Sequence, residues 1–247
     1  MNVMTVIAHP NPKSFCHAIL RQFDAGLKEA GHTNDIVDLY AMKFDPVFRT
    51  RDFASYIHES MPPDMLEQMD LMKSIMDFCG GPVQRIVAKL WLKGKDPLEL
   101  VRIIRNQMPR DVGAQQKRVA QAQGLAFISP NYWMNFPAIL KGWIDRVLRP
   151  GIAYRFSETD TGEGIPKGLL AARAVLVFNT SNTPVEREQK VFCDPLERIW
   201  KDCIVSFCGV PVFRRRMFGV VVTSTEQQRK AWLGEVGEIT KKTFPPL

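Results

Sequence analysis

Apolar and polar residues follow two different patterns along this chain. Val3–Ala8 and Gly124–Ser129 are almost wholly apolar runs, which is typical of strands buried on both faces of a parallel sheet. Over Phe15–Ala30, apolar residues instead recur at every third or fourth position, and this period predicts a helix with one buried stripe. Gly31 follows directly, as glycine does just beyond many helix ends. The alternation of the two patterns predicts parallel strands connected by helices.

The strand pattern occurs five times. The predicted strands are Val3–Ala8, Asp35–Leu39, Gly124–Ser129, Ala174–Asn179 and Arg215–Ser224. The helices predicted around them are Phe15–Ala30, Pro137–Leu148, Glu186–Phe207 and Thr225–Lys242. These elements predict an α/β fold, a doubly wound three-layer sandwich whose five-stranded parallel sheet has the order 2-1-3-4-5.

Residues 51–123 depart from this alternation, because they are helical in period and are punctuated by Pro-Pro and Gly-Gly pairs. Within them, Asp96 followed by Pro97 predicts a helix N-cap and first helical position. We therefore interpret residues 1–247 as a single domain, in which residues 51–123 form a helical insertion between strands 2 and 3.

Composition narrows the class of protein. The N-terminus lacks the basic segment of a secretory signal, and no apolar stretch reaches the roughly 18–20 residues of a transmembrane helix. We expect a soluble, cytoplasmic protein without an integral membrane segment. The five cysteines form no C-x-x-C pair, Cys203 and Cys208 are expected to be core thiols, and the four histidines form no ligand motif. Neither a disulfide framework nor a metal site is expected.

The net charge of +7 raises the question of an anionic partner. The basic residues are spread along the chain, however, and Arg214–Arg216 is the only tight cluster. Without a known binding module, this distribution disfavours nucleic acid and suits small phosphorylated molecules.

The loop after the first strand has the features of an anion site. HPNPKS (residues 9–14) leads into a helix, and the first N–H groups of a helix attract anions. Lys13 and the Ser14 hydroxyl would add a charge and a hydrogen bond, so a phosphate is the expected occupant. Alternatively, Ser14 serves only as the N-cap of the helix. There is no Walker A motif, and the glycines at 162, 164 and 168 precede a strand, so we interpret them as a mobile loop.

Two further loops end at the same predicted edge of the sheet. Residues 131–134 (Asn-Tyr-Trp-Met) follow strand 3 and offer flat apolar faces with hydrogen-bonding groups, whereas residues 179–182 (Asn-Thr-Ser-Asn) at the end of strand 4 are polar. An isoalloxazine ring with a phosphate tail would fit all three loops. In the alternative interpretation, Tyr132 and Trp133 only cap the sheet or fill a subunit interface.

The segments AHPNPKSFCHAIL, DLYAMKFDPVF and PNYWMNFPAILKGWIDRVLRPGIAYRF resemble the NAD(P)H:quinone oxidoreductase family of flavodoxin-like flavoproteins. The spacing P-x-x-W-x-x-x-P-A-I-L-K-G-W is the specific part of this resemblance, which covers roughly residues 3–48 and 111–173. It implies a flavodoxin-like three-layer sandwich, a bound flavin and a homodimer.

The resemblance also assigns cofactor-binding residues by position. They are His9, Ser14, Phe15 and Cys16 near the flavin phosphate and ribityl chain; Pro130, Asn131, Tyr132, Trp133 and Met134 along the ring; and Asn179, Thr180, Ser181 and Asn182 near the pyrimidine. Cys16 stands where the family commonly has asparagine. Ser181 and Asn182 replace two glycines of the family's T-T-G-G turn, so the backbone should approach the flavin less closely there.

Tyr154 is the one candidate catalytic residue. It resembles a tyrosine that borders the nicotinamide and quinone pocket, often from the partner subunit of a dimer. Phe156 stands where some members have a second tyrosine. The Tyr–His pair that some relatives place after T-T-G-G has no clear counterpart, so no residue is assigned to proton transfer at the quinone.

The resemblance therefore implies an NAD(P)H dehydrogenase (quinone)-like enzyme that passes hydride from NAD(P)H through FMN, or FAD, to a quinone or similar aromatic acceptor. Loop N–H groups around Thr180–Asn182 are expected to meet negative charge on the flavin. The alternatives are an azo- or nitro-compound reductase, and a non-catalytic flavin-binding subunit that serves electron transfer or regulates a channel. The choices between FMN and FAD, and between NADH and NADPH, stay open.

The predicted insertion carries a helical stripe of methionines. Its members are Met61, Met65, Met69, Met72 and Met76. Such a stripe is usually a core or interface face. The alternative is an adaptable apolar roof over the flavin, which would shape a pocket for a bulky lipophilic acceptor.

Overall fold

The computed structural model describes residues 1–53, 56–57, 61–107, 109–155 and 166–246. The strands are β1 (Asn2–Ile7), β2 (Thr33–Asp38), β3 (Gly124–Pro130), β4 (Tyr154–Arg155), β5 (Lys167–Gly168), β6 (Ala174–Thr180) and β7 (Val212–Phe218). The helices are α1 (Phe15–Glu29), α2 (Thr50–Phe53), α3 (Pro63–Gln68), α4 (Leu71–Met76), α5 (Pro82–Leu92), α6 (Pro97–Arg105), α7 (Arg110–Gln121), α8 (Ala138–Val147), α9 (Val185–Lys190), α10 (Pro195–Arg198) and α11 (Glu226–Thr243). A π-helix (Ile199–Val205) continues α10.

Five parallel strands form the central sheet, in the order β2-β1-β3-β6-β7. This is the predicted order 2-1-3-4-5, because the short antiparallel pair β4–β5 takes two strand numbers without joining the sheet. Every residue of β3 and β6 is buried. One apolar cluster packs α1 and α11 against the sheet, and a second packs α7, α8, α10 and the π-helix against the other face. The result is the predicted three-layer sandwich.

Local signals set the ends of the main helices. The Ser14 side chain accepts a hydrogen bond from the His17 N–H at the start of α1, and Gly31 follows this helix with a φ of 79°. Thr225 and Gln228 form a capping box at the start of α11. Asp96 and Glu99 do the same for α6, which confirms the predicted cap.

In its described part, the segment between β2 and α7 contains five short helices with a small core of their own. Its buried residues are Ile57, Leu66, Leu71, Ile75, Leu92, Leu100, Val101 and Ile104. Met61, Met69 and Met72 pack against this cluster, as the core interpretation of the methionine stripe expects.

A buried ion cluster ties this segment to α8. The Arg146 Nε lies 3.0 Å from Asp52 Oδ1, and the Arg149 Nη2 lies 3.1 Å from the same oxygen. All three side chains are essentially inaccessible to solvent. Arg146 also pairs with Asp111 of α7 at 2.8 Å. The cluster therefore links α2, α7 and the end of α8.

Two predicted elements near the C-terminus differ from the structure. The helix Glu186–Phe207 is broken, because Cys193 and Asp194 adopt positive φ and Pro195 begins a new helix. The strand Arg215–Ser224 instead runs over Val212–Phe218. The arginines of β7 lie within the strand, and the structure gives two of them partners. Arg215 bonds Asn179, Asp194 and Glu197, and Arg216 bonds Glu235.

Three smaller expectations also have outcomes. Cys208 is buried, but Cys203 is exposed and is therefore not a core thiol. The predicted mobile loop at Gly162 and Gly164 lies outside the described residues, as does Phe156. None of the helices among the described residues combines the length and the apolar character needed to cross a bilayer.

Candidate functional site

Three loops meet at the carboxyl ends of β1, β3 and β6 and enclose a cavity of about 600 Å³. This is where open α/β sheets bind their ligands. The described lining residues are His9, Phe15, Cys16, Pro130, Asn131, Tyr132, Trp133, Met134, Thr180, Ser181, Asn182, Thr183, Glu188 and Val221. The cavity thus brings together all of the predicted cofactor-binding residues except Ser14 and Asn179.

The wall that follows β3 is a strained turn. Tyr132 and Asn135 exchange two backbone hydrogen bonds of 3.0 Å, and the residues between them, Trp133 and Met134, have φ values of 53° and 56°. Residues other than glycine and asparagine rarely adopt this left-handed backbone conformation. The turn holds the Trp133 indole 94% exposed. Trp133 therefore does not cap the sheet of its own chain, and its ring is accessible to a ligand or to another subunit.

The wall that follows β1 ends at the first turn of α1. Phe15 and Cys16 line the cavity from the first two helical positions, whose N–H groups have no partner within a helix. These groups suit an anion. His9 lies beside them, accepts a hydrogen bond from the Asn11 N–H at its Nδ1, and has its pKa lowered chiefly by burial.

Ser14 caps the first turn of α1. Its Oγ accepts from the His17 N–H at 3.4 Å and lies 3.1 Å from His17 Nδ1. His17 Nε2 in turn lies 3.3 Å from Asp38 Oδ2. Ser14 does not line the cavity among the described residues. The N-cap role is therefore confirmed, and the contact of Ser14 with a cofactor stays a prediction.

Cys16 lies at the floor between two walls. It is 1% exposed, and its Sγ is 3.3 Å from the Thr180 hydroxyl oxygen. Burial raises the pKa of the Cys16 thiol to about 11. The thiol is therefore neutral near pH 7 and presents a weak hydrogen-bonding group where the family commonly has an amide.

Much of the third wall bonds within the protein. The Ser181 N–H donates to Phe218 O at 2.8 Å, and the Thr183 N–H donates to Ser181 Oγ at 3.0 Å. The Ser181 N–H is thus not available to meet charge on a ligand, contrary to expectation. Asn179 lies behind this wall, where it donates to Ser129 O and accepts from Arg215 Nε at 2.8 Å. It is a supporting residue rather than a lining one.

Glu188 is a lining residue that sequence reasoning missed. Its carboxyl group is 1% exposed, and Oε1 accepts from Asn131 Nδ2 at 3.0 Å and from Ser181 Oγ at 2.9 Å. Glu188 Oε2 and Asn131 Oδ1 are buried without a hydrogen-bond partner among the described residues. Two orphaned acceptors at one wall suit an occupant that carries a hydrogen-bond donor. No sequence signal marked Glu188, because α9 reads as an ordinary polar helix.

Tyr154 lies apart from the cavity of its own chain. Its ring packs on Phe207 with centroids 4.6 Å apart, and its hydroxyl group bonds Tyr56. Burial raises the pKa of Tyr154 to about 12. Within one chain, the structure therefore does not bring the predicted catalytic residue to the predicted cofactor site.

A larger cavity of about 750 Å³ opens between the loop after β2 and the end of α4. Its described lining is Asp45, Val47, Phe48, Arg49, Arg51 and Asp77. Arg49 is held by Asp45 at 2.8 Å, and no strand of the sheet ends there. We assign the site to the smaller cavity, because it lies at the carboxyl ends of three sheet strands and combines the N-terminus of the long helix α1 with the orphaned buried acceptors Asn131 Oδ1 and Glu188 Oε2. No methionine of the predicted stripe is among the residues described as lining the smaller cavity.

The sequence profile described as "flavodoxin-like fold" matches residues 1–239, so the chain belongs to this family. An uncharacterized NAD(P)H oxidoreductase of Haemophilus influenzae is 26% identical over 249 residues, covering 100% of this chain and 98% of the relative. The ribosyldihydronicotinamide dehydrogenase [quinone] of Mus musculus is 28% identical over 247 residues, covering 98% and 91%.

Solved structures agree on the fold. The NAD(P)H:quinone oxidoreductase of Methanothermobacter marburgensis has a TM-score of 0.66 at 22% identity, covering 98% of this chain and 96% of that one. An azoreductase of Bacillus anthracis has a TM-score of 0.63 at 17% identity, covering 98% and 99%. At these identities the likeness concerns the shared fold.

Proposed function

We propose that this protein is a flavin-dependent NAD(P)H oxidoreductase that passes hydride from NAD(P)H through a bound flavin to a quinone or similar aromatic acceptor. The observation that carries the proposal is the strained turn that holds the Trp133 ring in solvent beside a helix N-terminus and a 600 Å³ cavity. The curated relatives named as NAD(P)H oxidoreductase and quinone dehydrogenase, which match nearly the whole chain, support it.

The residues present fit a flavin mononucleotide. The first N–H groups of α1, at Phe15 and Cys16, would hold the phosphate. Trp133 and Met134 would cover part of the ring. The orphaned acceptors Asn131 Oδ1 and Glu188 Oε2 lie at the wall where a ring N–H, after a small side-chain adjustment, could reach them. FMN is the cofactor that we propose, and FAD is its alternative.

When bound, the flavin supplies the reactive atom that takes a hydride from NAD(P)H and gives up two electrons to the acceptor. The chain supplies position and a low-dielectric wall. The neutral Cys16 thiol adds no negative charge beside the phosphate and ribityl chain. Glu188 accepts hydrogen bonds from Asn131 and Ser181 and so links the wall that follows β3 to the wall that follows β6. The exposed faces of Tyr132 and Trp133 leave room for nicotinamide and acceptor to occupy one place in turn.

The partner subunit of a homodimer would complete the site. Tyr154 lies outside the cavity of its own chain, and we propose that it borders the acceptor site of a second copy, as the resemblance implies. Sedimentation of the purified protein measures the oligomeric state. In a dimer, Tyr154→Phe should raise KM for the acceptor while flavin binding is unchanged; a monomer with full activity would remove this role.

The decisive experiment is the absorption spectrum of the purified protein, followed by mass determination of the released cofactor and by assays of NADH and NADPH oxidation with quinone, azo and nitro acceptors. Trp133→Ala should weaken flavin binding about tenfold or more. Trp91→Ala is the matched control, because that indole is also exposed but lies on α5, away from the cavity. A protein that neither holds nor binds flavin contradicts the proposal. Bound flavin without NAD(P)H oxidation would indicate a non-catalytic flavin-binding subunit.

A further inference from the structure

The helix α5 exposes an unusual amount of apolar surface. Five large apolar side chains on this one helix are between 59% and 71% accessible to solvent: Val83, Ile86, Val87, Leu90 and Trp91. We call this set the α5 face. Single exposed apolar residues are ordinary on a protein surface, but a contiguous group of this kind marks a contact surface.

The α5 face points away from the rest of the fold. Successive residues of a helix turn by about 100°, which places the five side chains within an arc of about 140°. Leu92 lies on the opposite side of the helix, is fully buried and joins the small core of the insertion, and Ala88 packs against that core. The helix therefore anchors through its narrow side and presents its wide apolar side outward.

The charged residues of the α5 helix are all cationic. Arg85, Lys89, Lys93 and Lys95 lie within residues 82–95, and this stretch contains no aspartate or glutamate. Lys89 and Lys93 are exposed along one edge of the apolar arc, whereas Arg85 is exposed near the opposite side of the helix. Lys95 Nζ lies 4.9 Å from the centre of the Trp91 ring and 3.4 Å from Glu99 Oε1. A tryptophan-containing apolar face with a lysine- and arginine-rich flank is typical of helices that lie in a membrane interface.

We propose that the α5 face docks on the surface of a bilayer that contains anionic lipids. The apolar side chains would enter the boundary between head groups and acyl chains, and the basic flank would contact the anionic head groups. The protein would lie on the membrane, where lipophilic aromatic acceptors concentrate. Docking of this kind needs neither flavin nor turnover, so its failure is distinguishable from failure of the proposed function.

A second copy of the chain fits the α5 face less well. In a two-fold symmetric contact the same patch meets itself. When the two helices are antiparallel, Lys89 and Lys93 of both copies lie along one seam, and residues 82–95 offer no carboxylate to neutralise them. Like charges held together without partners destabilise an interface. An anionic lipid surface has the complementary charge.

The test is co-sedimentation of the full chain with phosphatidylcholine vesicles that contain phosphatidylserine at about 30 mol%. We expect binding to these vesicles, weaker binding to pure phosphatidylcholine, and weakening of binding by salt at about 0.5 M. The double variant Ile86→Ser/Leu90→Ser should reduce partitioning about tenfold or more. Lys89→Glu/Lys93→Glu should remove the preference for phosphatidylserine.

The matched control is Val191→Ser/Val222→Ser, which removes two equally exposed apolar side chains outside α5 and should leave partitioning unchanged. Circular dichroism of each variant shows that it is folded. Absence of binding to the phosphatidylserine vesicles overturns the proposal, and so does binding that Ile86→Ser/Leu90→Ser leaves intact. A wild-type dimer that the same variant converts to a monomer would assign the α5 face to a second copy instead.

Discussion

The sheet and the helical segment between β2 and α7 distribute their side chains in opposite ways. In the sheet, β3 and β6 are buried along their whole length, and the departures from the apolar pattern are buried polar groups near the strand ends, such as Asn179 in β6 and Glu188 in the neighbouring α9. In the helical segment, a core of eight apolar residues is buried, and the departure is the apolar α5 face in solvent.

Both departures indicate contact with something outside the chain, but of different kinds. A buried polar atom without a partner favours a ligand that brings its own hydrogen-bonding group. An exposed apolar face favours a surface that removes it from water. The sheet edge therefore suits a small-molecule ligand, and the α5 face of the helical segment suits a larger surface that covers it.

Asp52 tests whether the two regions are one cooperative unit. Asp52→Ala leaves Arg146 and Arg149 without their shared, fully buried carboxylate, and we expect the free energy of unfolding to fall by about 3–5 kcal/mol. Urea denaturation measures the change. Asp35→Ala is the control, since it breaks the half-exposed pair with Arg118 and should cost less than about 1 kcal/mol. Two separate unfolding transitions in the wild type would show instead that the regions are independent.

The pH dependence of the free energy of unfolding tests whether Cys16 is buried at the floor of the cavity. Its pKa is raised from 9.0 to about 11 in the folded protein, so the unfolded chain loses its thiol proton first. The stabilisation from the neutral thiol is therefore complete below about pH 9 and is lost as the pH rises to about 11, a change of about 3 kcal/mol.

Cys16→Ala should flatten this part of the stability curve. The same substitution at the half-buried Cys79 of the helical segment provides the comparison, because it subtracts effects of high pH that are unrelated to the wall. If the curves of wild type and Cys16→Ala stay parallel from pH 8 to pH 11, the thiol is not buried as described.

Gly142 tests the junction between the regions. A Cβ on Gly142 of α8 would overlap the backbone of Pro46, in the loop that leads from β2 into the helical segment. Gly142→Ala should therefore destabilise the protein by about 1–3 kcal/mol.

Gly234→Ala is the matched substitution within α11. An added Cβ there meets nothing within 4 Å, so the higher helix propensity of alanine should stabilise the protein by about 1 kcal/mol. Opposite signs in thermal denaturation would confirm the close approach of α8 to Pro46, and equal signs would contradict it.

The comparison also explains what could be predicted from the sequence. The strands Val3–Ala8 and Gly124–Ser129 could be predicted because both faces of each strand are buried. Burial on both faces requires a continuous apolar run, which is visible in the sequence. The prediction displaced β7 towards the C-terminus, because Val220–Val222 continue the apolar run beyond Phe218 while Arg214 separates Val212 and Phe213 from it. Arg215 lies within the strand because it finds its partners in the fold. Partners of this kind are distant in sequence and leave no local signal.

The candidate site divides in the same way. The aromatic turn and the start of α1 were predicted, because both follow directly from strand ends. The N-cap role of Ser14 was among the two interpretations offered, because a serine directly before a helix is a local signal. The supporting role of Asn179 and the presence of Glu188 were not predicted, because each depends on which distant neighbour saturates the side chain. Tertiary hydrogen bonding decides these two residues, whereas strand order places the others.

Substitution of Trp133 should change the free energy of unfolding least, and it should change that energy and the flavin affinity in opposite directions. Glycine accepts the φ of 53° without strain, so Trp133→Gly should raise the free energy of unfolding by about 1 kcal/mol while it weakens flavin binding about tenfold. Met134→Gly relieves a similar strain but keeps the indole, so it should gain similar stability and lose less flavin affinity. Urea denaturation and flavin titration measure the two quantities. If Trp133→Gly is destabilised, the indole packs on its own chain, and the exposed aromatic wall that carries the proposed function does not exist.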